Sequence, residues 1–176
     1  MKVVAIVCSA RQRGNCYDIA KRILERLREK SVKTELIMTN DYEINPCNRC
    51  NYECFQGETC CPIDDDVPRI WEKMRRADGI VFAVPSYYGL PPAVFKAIIE
   101  RAQSILGWIT RDLRNLDSIW KNKPVIVTVV ANGGGERIIE YLEHLLKSAE
   151  VISELFSYTK HGKDGFKGGL IELPEV

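Results

Sequence analysis

The 176-residue chain has no apolar run of membrane-spanning length. Its longest, VVAIVCSA and PVIVTVVA, fall far short of the roughly 18–20 residues a bilayer core requires. Charge of neither sign is in excess: 25 Lys and Arg against 24 Asp and Glu leave a net +1. That balance argues against nucleic acid or an anionic membrane surface as partner. Histidine is scarce, with only His144 and His161. Neither reads as catalytic, since His144 falls on a solvated helix face and His161 in a Gly-rich tail. No internal repeat or low-complexity segment is present. The short run Val3–Ala10 is followed by an Arg-rich turn and reads as a buried strand rather than a signal peptide. The expected location is therefore the cytoplasm.

What the chain does have is enough apolar residue, 45%, to bury a core without disulfide staples. Its length suits one domain spanning 1–176. Strands are expected at 2–8, 33–38, 79–84, 124–130 and 150–156, as β-branched runs. Helices are expected at 15–30, from Asp64–Asp66 to about Arg76, from Pro92 to about Leu106, and at 136–149. Residues 107–122 read as a packed insertion or short helix. The alternation implies an α/β fold: a doubly wound, five-stranded parallel sheet of flavodoxin-like order, with helices on both faces.

Ligands of such sheets bind at the carboxyl ends of the strands, and three loops leave those ends with unusual residues. CSARQRGNC (8–16) sets Ser9, Arg11, Arg13 and Asn15 between a strand end and a helix start, where backbone N–H groups and the helix dipole favour an anion. It matches neither the P-loop nor the GxGxxG pattern. PSYYGLPP (85–92) offers aromatic rings on a constrained backbone, suited to a flat heteroaromatic ligand. TVVANGGGE (128–136) lets backbone approach a ligand closely. Each loop alone is equally an ordinary turn. Together they match the phosphate, flat ring system and polar ring edge of flavin mononucleotide (FMN).

Five of the seven cysteines crowd into PCNRCNYECFQGETCCPI, residues 46–63. The residues between them are polar, so these are not core cysteines. Cys47-x2-Cys50-x3-Cys54 is followed by adjacent Cys60 and Cys61. Zinc usually takes two C-x2-C pairs a dozen or more residues apart, whereas compact spacing suits an iron–sulfur cluster. The spacing favours a [4Fe–4S] cluster; zinc, and metal-free disulfides or thiols, stay open.

These stretches resemble the NADPH-dependent FMN reductase family and, within it, the iron–sulfur flavoproteins. SARQRGNC is similar to the family's Ser-x-Arg…Gly-Asn-Thr phosphate loop, VPSYYGLPPAVFKAIIER to its flavin-ring loop and following helix, CPIDDDV to its Cys-x-Ile-x-Asp-Asp segment, and NGGGE to its third loop. The resemblance spans roughly residues 2–150. Cys8 stands where the family usually has Gly and Cys16 where it often has Thr, a weaker donor in place of a hydroxyl. One residue more than in the family's C-x2-C-x2-C-x(4–7)-C motif precedes Cys54.

The resemblance implies FMN with its phosphate on Ser9, Arg11, Asn15 and the backbone of Arg13, Gly14, Asn15 and Cys16. It sets the ring by Pro85, Ser86, Tyr87, Tyr88 and Gly89, and the ring edge by Asn132, Gly133 and Gly134. It implies cluster ligation by Cys47, Cys50, Cys54 and Cys61, with Cys60 as the alternative fourth ligand, from a loop (45–63) inserted after the second strand. No side-chain acid or base is needed, because the redox chemistry belongs to the flavin. The implied activity is a flavin-dependent oxidoreductase passing electrons between FMN and a one-electron carrier such as ferredoxin, with NAD(P)H as a donor and a homodimer or homotetramer as the assembly. The alternatives are an NAD(P)H-dependent FMN or quinone reductase without a redox cluster, and a non-enzymatic electron carrier.

Overall fold

The computed structural model describes residues 1–48, 50, 61–102, 105 and 117–157. Its strands are β1 (Lys2–Val7), β2 (Lys33–Met38), β3 (Gly79–Pro85), β4 (Pro124–Ala131) and β5 (Glu150–Ser157). They form one parallel sheet in the order β2-β1-β3-β4-β5. This is the flavodoxin-like order, with its switch point between β1 and β3. The helices are α1 (Asn15–Glu29), α2 (Val67–Arg76), α3 (Ala93–Glu100), α4 (Asp117–Trp120) and α5 (Gly135–Leu145).

The central strands are apolar on both sides because both sides are covered. Val3, Ala5 and Val7 with Val81 and Ala83 face Ile19, Ala20 and Leu24 of α1. The small alanines let that helix lie close. The opposite face carries Val4, Ile6, Ile80, Phe82 and Val84 against α2, α3 and α5. There Phe82 meets Phe95 edge-on at 5.8 Å between ring centroids, and Trp71 meets Trp120 at 5.5 Å. The buried Trp71 Nε1–H donates to the Ile98 carbonyl at 3.0 Å, which removes the cost of burying an indole donor.

Two helix boundaries differ from the sequence reading. Pro92 caps α3 in an extended conformation, and regular helix ends at Glu100 rather than near Leu106, with Ala102 and Ile105 helical beyond it. The last helix stops at Leu145 instead of 149. Leu146 turns the chain, and the Ala149 N–H closes on its carbonyl at 2.8 Å, so that Glu150 can pair with Pro124. Of the 107–122 stretch, Asp117–Trp120 is helical and the rest up to 116 lies outside the described residues, as does His161. Among the described residues no helix is long and apolar enough to cross a membrane.

Candidate functional site

The carboxyl ends of β1, β3 and β4 surround a cavity of about 290 Å³, within reach of the smaller ligand clefts. Ser9, Arg11, Gly14, Asn15 and Cys16 form one wall. Ser9 is buried, and its Oγ accepts the Arg11 N–H at 3.2 Å, which curls the loop and leaves the hydroxyl proton free to point elsewhere. Gly14 is the N-cap of α1 and brings no side-chain cap to the first-turn N–H groups. The loop is propped from β2, which sequence reasoning missed. Thr39 Oγ1 donates to the Val7 carbonyl at 3.1 Å, and Asn40 Nδ2 to the Ala10 carbonyl at 3.1 Å. Both follow the strand next to β1, a pairing that only the topology reveals.

Cys16 is buried in this wall, and burial pushes its thiol up to about 12 against the opposing pull of Arg11. Burial pushes Cys8 higher still, with Cys16 adding to the rise. Both are neutral thiols, packed rather than reactive.

The second wall holds Pro85, Ser86 and Tyr87. Tyr87 and Leu90 exchange N–H···O bonds of 2.9 and 3.1 Å around Tyr88 and Gly89. Both central residues have positive φ, 56° and 75°, which makes a type I′ turn. A tyrosine in the left-handed region costs about 1–2 kcal/mol, yet Tyr88 stands fully exposed and gains no packing from it. Tyr88→Asn suits the turn better and is expected to raise the stability of the flavin-free chain by about 1 kcal/mol in urea denaturation. No gain would mean that the strain is relieved elsewhere.

The third wall is Val130, Ala131 and Asn132. The first two escaped the sequence reading, which ended the strand at 130. Ser86 joins the second and third loops. Its N–H donates to the Val130 carbonyl at 2.8 Å, its Oγ donates to the Gly133 carbonyl at 3.2 Å, and the same Ser86 Oγ accepts the Gly89 N–H at 3.3 Å. Gly134 has φ +71°, and a Cβ there would lie 2.9 Å from the Gly89 Cα. The two loops therefore touch through glycine backbone. Arg13, Tyr88, Gly89, Gly133 and Gly134 flank the cavity in sequence without lining it.

The cysteine segment is described at its two ends. Cys47 is exposed, Cys50 and Cys61 are half-buried, and all three are free thiols. Cys54 and Cys60 lie outside the described residues. Among the described residues no three His, Cys, Asp or Glu side chains form a group that could hold a metal ion. His144 lies exposed near the end of α5 remote from Gly134.

Residues 1–160 match the NADPH-dependent FMN reductase family. The chain belongs to that family. As a member it is a flavin-dependent oxidoreductase. It is 34% identical over 168 residues to an iron–sulfur flavoprotein of Methanocaldococcus jannaschii, covering 94% of this chain and 82% of that protein. To an iron–sulfur flavoprotein of Methanosarcina thermophila it is 36% identical over 143 residues, covering 80% and 70%. Among solved structures, an NAD(P)H:quinone oxidoreductase from Methanothermobacter marburgensis superposes with a TM-score of 0.65 at 16% identity, over 94% of this chain and 90% of that one. A flavodoxin from the Archaea gives 0.53 at 13%, over 89% and 85%. At such identities these two likenesses speak for the fold alone. The family's flavin suits the donor set of this cavity: a helix start without a side-chain cap, with Ser9 and Arg11, for a phosphate, and Tyr87 with Pro85 for a flat ring.

Proposed function

We propose that the cavity holds FMN, its phosphate on the Ser9–Cys16 loop and its ring system between the Pro85–Gly89 turn and Asn132–Gly134. The observation that carries this is the convergence of three strand-end loops on one cleft, with anion-binding groups at one wall and an aromatic residue at the next. When bound, FMN supplies two-electron and one-electron transfer. The chain's own part is to bind and orient it. Arg11 and the α1 N–H groups neutralise the phosphate, and the Ser86 bonds fix the turn that carries Tyr87. Gly134 keeps the ring-edge loop against Gly89.

Titration of the flavin-free chain with FMN tests the assignment. Arg11→Ala removes a charge-assisted hydrogen bond worth about 1.5 kcal/mol at an exposed position and is expected to weaken FMN about tenfold. Riboflavin, which lacks the phosphate, should bind both proteins equally. An unchanged FMN affinity would move the phosphate off this loop.

We further infer that the cysteine segment holds a [4Fe–4S] cluster through Cys47, Cys50, Cys54 and Cys61, and that the protein exchanges single electrons with a ferredoxin-type carrier. Support comes from the compact spacing, the free thiols at both ends of the segment, and relatives that are themselves iron–sulfur flavoproteins. When bound, such a cluster supplies one-electron transfer. We infer a cytoplasmic homodimer or homotetramer with NAD(P)H among its donors.

A second reading follows the description of the matched family, NADPH-dependent FMN reductase. In it the cysteines carry no redox cluster and the protein is an NAD(P)H-dependent flavin or quinone reductase. Flavin bleaching by NADPH that is unchanged when Cys47 and Cys50 become Ser would support this reading over the first.

A further inference from the structure

The two stretches that flank the cysteine segment are bonded to each other and to the end of α3. The Asp66 N–H donates to the Glu43 carbonyl at 2.9 Å, and the Glu43 N–H donates to the Asp66 carboxylate at 3.0 Å. The next contacts inward run through a buried ion pair. Arg101 follows the last turn of α3 and is 1% exposed, and the Asp65 side chain that it pairs with is fully buried. Asp65 accepts the Asn45 N–H at 2.9 Å and the Val67 N–H at 3.1 Å. Arg101 Nη1 donates to the Asn45 carbonyl at 3.0 Å, and Nη2 donates to the Ile63 carbonyl at 3.4 Å. One residue earlier on α3, Glu100 Oε1 accepts the Cys47 N–H at 2.7 Å. Ile44 before the segment and Cys61 at its far end pack against the core that α2 and α3 share.

Asn45 and Ile63 belong to no strand or helix, so their backbone groups need partners from elsewhere. A buried ion pair is costly to desolvate, and an apolar pair of similar volume is often as stable. What only the ion pair offers is a guanidinium fork and two carboxylate oxygens that bond two stretches of backbone at once. The contrast is with a loop whose shape depends on what it binds. There the ligand's binding free energy is folding free energy, and the empty loop unfolds. Here every contact named is made by groups outside residues 48–60.

We propose that this stem, centred on Arg101 and Asp65, holds the flanks of the cysteine segment unaided, so that the fold and the flavin cavity form with nothing bound between them. The flavin half of the protein is then competent whatever occupies the segment, and the 48–60 stretch can be exchanged without rebuilding the domain. The stability arm of the test stands by itself; the FMN arm rests on the flavin reading above.

The test uses the full chain, treated with chelator and thiol reductant and then freed of flavin. Wild type is compared with a variant whose residues 48–60 are replaced by a Gly/Ser linker of the same length. Asp65→Ala is made in both backgrounds. Arg101→Lys, which keeps the charge but not the fork, is made beside it as a milder probe of the same contacts. The linker variant is expected to keep the wild-type urea midpoint and to bind FMN within about twofold of wild type. Asp65→Ala and Arg101→Lys should each lower the midpoint equally in both backgrounds, because independent elements contribute additively. A linker variant that does not fold, that unfolds at lower urea, or that loses more FMN affinity than this overturns the proposal. So does a substitution effect that disappears in the linker background. If Asp65→Ala yields no folded protein, Arg101→Lys decides. Failure of FMN to bind wild type overturns the flavin reading, and the urea comparison still decides the stem.

Discussion

Asp65→Ala is expected to destabilise the chain by about 3–5 kcal/mol, because it leaves the Arg101 guanidinium buried without its counter-charge. The carboxylate also satisfies the N–H groups of Asn45 and Val67, so three part-buried donors lose an acceptor at once. Urea denaturation of the metal-free, flavin-free chain measures this directly. A loss below 1 kcal/mol would mean that water reaches the site. The paired Arg101→Gln/Asp65→Asn variant should lose much less than Asp65→Ala, since amides replace the charges and keep hydrogen-bonding partners.

The same pair sets an acid limit. Burial pushes the Asp65 carboxyl up, but hydrogen bonds from Arg101 and from the Asn45 and Val67 N–H groups outweigh it and hold the carboxyl below its ordinary value. A group lowered in the folded state binds its proton more readily unfolded. Its contribution is therefore complete above the ordinary carboxyl range, about pH 4, and is lost as pH falls through the lowered folded value. The stability gap between wild type and the paired variant should be flat from pH 8 to about pH 5 and close on further acidification.

The second large effect is at Gly134. Gly134→Ala forces a Cβ to within 2.9 Å of the Gly89 Cα in a left-handed backbone. The backbone term alone costs about 1–2 kcal/mol. The contact cannot be relieved by a rotamer change because it is made to backbone, so one loop must move. A displacement near 1 Å at a reacting site typically costs about 100-fold in rate. The expected result is protein that purifies folded, with little FMN and flavin reduction slowed about 100-fold. The control is its neighbour: a Cβ on Gly133 meets nothing within 4 Å, so Gly133→Ala should leave the stability of the flavin-free chain nearly unchanged while Gly134→Ala lowers it. Equal effects at both positions would show that the loop tolerates or rejects side chains for some other reason than the Gly89 contact.

The contrast between these glycines shows where sequence stops informing. NGGGE reads as one permissive turn, yet Gly133 is unconstrained, Gly134 needs its conformation and its closeness to Gly89, and a Cβ on Gly135 would strike Leu155 and Ala131. These reasons come from β5 and from the second loop, elements that only the sheet order brings near. The strands were legible because burial on both faces leaves unbroken β-branched runs such as KVVAIV and GIVFAV. The cavity walls were legible because ligand loops of this architecture leave strand ends. Arg101 was not. Within VFKAIIER it reads as one more charge on a helix face, and its burial depends on Asp65, 36 positions away. Thr39 and Asn40 were hidden in the same way, because their work is done on the loop of a neighbouring strand.

The most direct test of a flavin and an iron–sulfur centre working on one chain is stoichiometry. FMN, iron and acid-labile sulfide are measured on anaerobically prepared full-length protein, with absorbance spectra before and after reduction. One FMN per chain is expected, with iron and sulfide in equal amounts and about four of each. Reduction should bleach both the flavin bands and the broad iron–sulfur absorption. FMN at full occupancy with no stoichiometric iron or sulfide would contradict the cluster. Absence of FMN from a folded chain that also fails to take it up on titration would contradict the flavin site itself.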